Sequence, residues 1–233
     1  MSWHHADLAG LDLETTGTDP ETARVVTACI GRLDEESWTA GNWLLRQDAP
    51  IPEGAIAVHG ITTEFANTHG EDPKAALAAI ADEIYAHWAS GRPLVVFNAP
   101  YDLTVLDRCL SREGLGNLDV RGPVIDPRVI DKQFDKYRKG KRTLTDMCAH
   151  YGIAFSADEA HGAEADTKAA CMLARQLSHL ATGNGRTTVG DLDFDDLHRS
   201  QATWYRDNIN DFAAWAKRQG RPLDDANTDW PIR

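Results

Sequence analysis

Near its start the chain reads Leu8-Ala9-Gly10-Leu11-Asp12-Leu13-Glu14-Thr15-Thr16-Gly17. From Leu8 to Leu13 apolar residues alternate with others, the pattern of a half-buried β-strand. A period of two sends Leu11 and Leu13 to one face and Asp12 and Glu14 to the other, with the two acidic Cα atoms roughly 6.5 to 7 Å apart. Two like charges therefore converge on one patch. Solvent-facing strand edges often alternate in the same way, so the pair gains meaning only from acids elsewhere in the chain.

Outward from this strand, Val25 to Leu33 and Trp38 to Leu45 read as two further strands, an antiparallel start. Asp72-Pro73 opens a helix with Leu77, Ile80, Ala81, Ile84 and Trp88 at helical spacing. Leu94-Val95-Val96-Phe97 is a short, wholly apolar run of the kind found in strands covered on both faces, and Asn98-Ala99-Pro100 ends it. Asp102, Leu106, Cys109 and Leu110 share one helical stripe, and Val124 to Pro127 reads as a strand stopped by proline. Thr143 to Asp146 fits a capping box before a short helix, and Asp166, Ala169, Ala170, Leu173, Leu177 and Leu180 mark a longer one. Gly183 to Gly190 reads as a linker, followed by a last amphipathic helix through Phe194, Leu197, Trp204, Tyr205, Ile209, Phe212 and Ala216. The predicted class is α/β, a mixed sheet with flanking helices.

The 233 residues carry 24 Lys or Arg and 36 Asp or Glu, a formal charge of −12 with 42 % hydrophobic residues. This is an ordinary globular composition, which excludes wholesale disorder. No run approaches the roughly 18 apolar residues of a membrane span, and the first ten residues lack a signal-peptide plan, so the expected location is cytoplasmic with no membrane partner. Cys29, Cys109, Cys148 and Cys171 are scattered without a CxxC pair and are expected to be reduced core residues. A chain this acidic repels polyanions unless local positive charge or a metal intervenes.

Asp102 and Asp166 each begin the apolar, core-facing stripe of a helix. Taken singly, either acid could be a helix cap. Gathered with Asp12 and Glu14, they must either protonate or hold a cation, and hard oxygen ligands favour Mg2+ or Mn2+. His161 lies five residues before Asp166, which in one helix would put the two on different faces. A histidine on the preceding loop, next to Gly162, avoids that separation and can deprotonate a water near neutral pH.

The pattern resembles the DEDDh branch of the DnaQ-like 3′-5′ exonucleases, a family that includes the proofreading epsilon subunit of bacterial replicative DNA polymerase. The resemblance spans roughly Ala6 to Thr182. It rests on Leu11 to Gly17, on Phe97-Asn98-Ala99-Pro100-Tyr101-Asp102, and on His161-Gly162-Ala163-Glu164-Ala165-Asp166, with Val58 to Thr62 and Thr143 to Ile153 as further matching segments. It implies a ribonuclease-H-like fold with a five-stranded mixed β-sheet flanked by α-helices over residues 1–183. Residues 184–233 would be a linker and helical C-terminal extension, packed on the domain or docking a partner. Two divalent ions, Mg2+ or Mn2+, would be held by Asp12, Glu14, Asp102 and Asp166, with His161 as general base. Thr15, Thr16 and Gly17 would lie along the terminal nucleotide, His59 and Ile61 against the last bases, and Asn98 and Tyr101 along the groove.

Lys132 to Arg142 holds six basic residues against Asp135, a local +5 that leaves −17 for the remainder. It is the dense basic tract of the chain, and Lys139 and Lys141 are its candidates for gripping phosphates of the strand, with Phe134 and Tyr137 for sugars and bases. The expected activity is removal of 5′-mononucleotides from the 3′ end of single-stranded DNA, preferred over RNA, with a DNA polymerase or another replication or repair protein as possible partner. The alternatives are a 3′-5′ exoribonuclease trimming RNA or short oligoribonucleotides and, in another class, a noncatalytic polymerase-docking module.

Overall fold

The computed structural model describes residues 3–35, 37–155, 162–182, 185, 187–223 and 226–233. Strands β1 (Leu8–Thr15), β2 (Val25–Leu33) and β3 (Trp38–Leu44) form an antiparallel meander. Two short strands, β4 (Leu94–Val96) and β5 (Val124–Ile125), then add parallel to β1, giving the order β3-β2-β1-β4-β5. The first strand in sequence is thus the middle of the sheet, and its acids cannot lie on a solvent edge.

Helices complete both layers. The short α1 (Glu53–His59) and α2 (Thr63–His69) precede α3 (Pro73–Ala89) and α4 (Ala99–Arg112). After β5 come α5 (Pro127–Phe134), α6 (Leu144–His150), α7 (Ala163–Leu177) and α8 (Phe194–Arg218). Strand alternation divides the core between these helices. Leu11, Leu13, Leu94 and Val96 pack with Leu77, Ile80 and Ile84 of α3 and Leu103 and Leu106 of α4. Leu8, Val95 and Ile125 face the opposite layer, with Leu173 and Leu177 of α7 and Leu197 of α8.

Gly10 lies on the α7 side of β1. A Cβ built there would sit 2.5 Å from Cys171 Sγ and 2.7 Å from Thr167 Cγ2, so a glycine is what lets α7 press against the sheet. Asp12 and Glu14 follow on the same face, and that close approach sets how near α7 comes to them.

Three helices differ from the sequence-based expectation. Val58 to Thr62, where no helix was expected, is the end of α1, a left-handed Gly60 (φ 77°) and the Thr62 cap of α2, whose side chain accepts from Phe65 N. Each helix is seven residues long, and none of the α1 residues is buried, so neither carries an apolar period to read. The third, α5, runs through the start of the basic tract, capped by Asp126 with Pro127 in its first turn.

The C-terminal helix closes the β5 edge of the sheet. Gln201, fully buried, donates to Val124 O at 2.9 Å and accepts from Asp126 N at 2.7 Å, and His198 Nδ1 accepts from Val124 N at 3.0 Å. These side chains take the place of a sixth strand. Within the expected linker, Val189 and Gly190 are buried and accept from Trp3 Nε1 and Trp3 N. Among the described residues no helix is long and apolar enough to cross a membrane. All four cysteines are free and buried.

Candidate active site

The acids meet where β1 runs past the end of β4. The last β1–β4 pair is Leu11 with Val96, so Asp12 and Glu14 project beyond β4, next to a register shift between Glu14 and Thr15. Helix α4 starts at this end of the sheet, the place where open α/β sheets bind ligands. One carboxylate oxygen each from Asp12, Glu14 and Asp166 lies within 4.8 Å of the others. Asp102 is outside that triplet but buried beside it, and it is the largest charged influence on Asp12.

Neither helical acid is a cap: Asn98 caps α4 and Gly162 caps α7. Asp102 and Asp166 each stand one turn inside their helices, where the capping explanation for them fails. The charge crowding is visible in each group. Burial, then Asp102, Asp166 and Glu14, pushes the Asp12 carboxyl well above the usual carboxylate range. Burial also raises Asp102, partly offset by the backbone amides of Asp102 and Leu13, and burial followed by Asp166 lifts Glu14 to about 7. Among the described residues no Lys or Arg forms an ion pair with Asp12, Glu14 or Asp102. Oxygen donors crowded this closely fit a divalent ion, which would restore Asp12, Glu14 and Asp102 to their charged forms.

The supporting contacts are specific. Asp126, 1 % exposed, accepts from Asn98 N at 3.1 Å and Ala99 N at 3.0 Å and so anchors the start of α4. Asn98 sits in the left-handed region (φ 66°), with its Oδ1 accepting from Arg128 Nη1 at 2.6 Å. Glu164, in the first turn of α7, accepts from Trp38 Nε1 at 3.2 Å and Asn42 Nδ2 at 2.7 Å, which ties the helix of Asp166 to β3. Asp126 and Glu164 are positioning residues that sequence reasoning missed. The Asp126-Pro127 pair was a legible cap signal, whereas nothing local marks Glu164.

The remaining candidates distribute around this centre. His59, Ile61, Glu14, Trp43 and Phe65 line an open groove of about 520 Å³ that reaches the first turn of α7. Trp43 and Phe65, the latter 47 % exposed, were not singled out from sequence. His59 Nδ1 accepts from Ile61 N at 3.0 Å, and burial lowers its pKa. Thr16 is spent on the turn, its Oγ1 accepting from Arg24 N at 2.9 Å, and Thr15 Oγ1 donates to Gly17 O at 3.0 Å. The Tyr101 hydroxyl bonds Gly17 O and Thr15 Oγ1, bracing α4 against the end of β1. His161 lies outside the described residues.

The basic tract is only partly available. Arg138 and Arg142 converge on Asp131, whose side chain is fully buried, at 2.8 and 2.6 Å. Lys136 pairs with Asp211 at 2.6 Å, and Phe134 packs edge-on against Trp204 at 5.4 Å between centroids. The tract's two arginines thus neutralise a buried acid of the same domain, and Lys139 and Lys141 stay open to solvent.

Residues 10–174 match the RNase_T family model, described as "Exonuclease". The match covers well over half of the chain, which belongs to this exonuclease family, and the five-stranded sheet with its helices is a ribonuclease-H-like fold. The DNA polymerase III subunit epsilon of Rickettsia felis is 28 % identical over 179 residues, covering 74 % of this chain and 73 % of that one. An uncharacterized exonuclease of Escherichia phage 186 is 28 % identical over 177 residues, 71 % of this chain and 85 % of that one. A DNA polymerase III subunit epsilon-like protein of Rhodobacter capsulatus is 29 % identical over 183 residues, and the match spans only 25 % of its length. Among solved structures, E. coli exonuclease I in complex with a dT13 oligonucleotide superposes with a TM-score of 0.62 at 20 % identity, over 74 % of this chain and 41 % of that one.

Proposed function

We propose that this exonuclease works in the 3′-5′ direction on single-stranded DNA, releasing 5′-mononucleotides, with Asp12, Glu14, Asp102 and Asp166 holding two Mg2+ or Mn2+ ions. The observation that carries the reading is the convergence of Asp12, Glu14 and Asp166 oxygens within 4.8 Å, beside buried Asp102. When bound, two such ions polarise the phosphodiester and neutralise the leaving 3′ oxygen. They also add positive charge at a site that the apo chain leaves negative.

The side chains of the protein do the rest. His161 accepts the proton of the attacking water on its imidazole, a role for which its position in the third motif speaks. Glu14, bordering the groove, orients the terminal ribose, and Thr15, Thr16 and Gly17 follow the terminal nucleotide with backbone groups. His59 and Ile61 meet the last base together with Trp43 and Phe65, which offer apolar and aromatic surface in the same groove. Asn98 and Tyr101 shape the strand's path by fixing the start of α4, and Lys139 and Lys141 grip phosphates further upstream.

DNA as substrate is supported by relatives named as DNA polymerase III epsilon subunits and by the oligonucleotide complex of the exonuclease I neighbour. The same names support a replicative DNA polymerase as partner and a cytoplasmic location.

The test is a gel with 3′-labelled and 5′-labelled DNA and RNA oligomers in Mg2+, Mn2+ or EDTA. The reading expects mononucleotides from the 3′ end, DNA ahead of RNA, and no cleavage in EDTA; internal fragments or EDTA-resistant activity would refute it. With Lys139→Ala and Lys141→Ala combined, binding of a single strand should weaken and its salt slope should flatten by about 1.4, at roughly 0.7 for each phosphate contact.

A further inference from the structure

Beside the start of α4, on the side of α5 and α8, lies a second cavity of about 100 Å³. At about 30 Å³ per water it has room for about three waters, the size of one phosphate group and too small for a nucleobase. Its polar lining is Asn98, Asp126, Arg128, Lys132, Tyr205, Asn208 and Arg233, three cationic side chains against one carboxylate side chain, with Arg128 donating to Asn98 Oδ1 at 2.6 Å and Arg233 to the Tyr205 hydroxyl at 3.0 Å. That one acid is occupied, because Asp126 already accepts from the backbone amides of Asn98, Ala99 and Arg128.

Two groups in the cavity have no protein partner. Lys132 forms no ion pair or hydrogen bond among the described residues, while burial and the neighbouring Arg128, Arg142 and Lys136 lower its pKa. Asn208 is 7 % exposed, and its amide makes no hydrogen bond among the described residues. Its amide therefore keeps donor and acceptor capacity that a ligand or water entering the cavity can use. An amide donor and an unrelieved ammonium facing the same small space call for an oxyanion.

We propose that this cavity binds one phosphate group through Lys132, Arg128 and Asn208. A phosphodiester of the substrate strand and a free phosphate offer the same chemistry. The strand is favoured by position, because Asn98 precedes Asp102 by one turn of α4, about 6 Å along the helix axis. Only this choice of source rests on the exonuclease reading.

The test uses the full chain in EDTA with two probes, a dT12 oligonucleotide and inorganic phosphate, on wild type, Lys132→Gln, Lys132→Arg and Asn208→Leu. For a strand phosphate, Lys132→Gln and Asn208→Leu should each weaken dT12 binding about fivefold. Lys132→Gln alone should flatten the salt slope by about 0.7, and Lys132→Arg should stay near wild type. For a free phosphate, calorimetric heat with inorganic phosphate should disappear in both variants while dT12 binding is unchanged, which supports the pocket and reassigns its source. Unchanged binding of both probes in Lys132→Gln would overturn the proposal. Thermal melts check folding, and should Asn208→Leu not fold, the two Lys132 variants at a half-buried position decide the matter. A wild type that binds phosphate through Lys132 yet degrades no oligomer would sink the exonuclease reading and leave the pocket standing.

Discussion

Replacing Asp131 by Leu should be among the most destabilising single changes in the molecule outside its apolar core. Its fully buried carboxylate accepts from Arg138 Nη2 at 2.8 Å to both oxygens, from Arg142 Nε at 2.6 Å and from the Tyr151 hydroxyl at 2.8 Å. The two arginine side chains are only 11 % and 15 % exposed, so water does not readily take the place of the lost charge. Arg138 keeps Asp135 at 3.1 Å and Arg142 keeps the Asp135 carbonyl, which limits the loss. Breaking a buried ion pair from one side costs about 3–5 kcal/mol. At about 2–4 °C per kcal/mol for a chain of this size, the melting temperature should fall by roughly 6–20 °C. Thermal melts followed by circular dichroism measure it. Combining Asp131→Leu with Arg138→Met and Arg142→Leu should recover much of the loss, since an apolar replacement of the whole cluster strands no charge. A single variant melting within about 2 °C of wild type, or a triple variant no better than the single, would refute the account of this tract as an internal counter-charge.

Three further outcomes are expected. Gly10→Ala pushes a methyl into Cys171 and Thr167; it should cost about 1–3 kcal/mol and, by moving α7, lower nuclease turnover more than substrate affinity. Gln201→Ala leaves Val124 O and Asp126 N at the sheet edge without their partner; at about 1–3 kcal/mol for each stranded buried group, denaturant melts should show a loss of several kcal/mol. Glu14, lifted from 4.5 to about 7, retains a proton in the metal-free fold that the unfolded chain has released. Its contribution is therefore full below pH 4.5 and lost as pH rises through 7. Melts in EDTA from pH 5 to 8 should show that loss, and saturating Mg2+ should remove it.

Much of the architecture was legible because the decisive elements carry long periodic signals. The alternation of Leu8 to Leu13, the apolar run at Leu94 and the stripe through Leu173 and Leu177 each name a face, and the structure buries those faces. The acids were legible for the same reason, since each interrupts a buried pattern at its end. Elements of seven residues without a buried stripe, such as α1, left nothing to read. Tertiary pairing was also invisible. The number of cations in Lys132 to Arg142 is a property of the sequence, but the burial of Asp131 among them is a property of the fold. Tyr101 is a similar case, its hydroxyl taken by Gly17 and Thr15 from 84 and 86 residues away.

Joint binding of divalent ions by Asp12, Glu14, Asp102 and Asp166 is measured by titration with Mn2+ followed through the electron paramagnetic resonance of the free ion. With a 5′-mononucleotide present, wild type should bind two ions per chain, and folded Asp12→Asn and Asp166→Asn variants should bind fewer and more weakly. A folded wild type that leaves Mn2+ free, or an Asp12→Asn variant that binds as wild type does, would contradict joint binding.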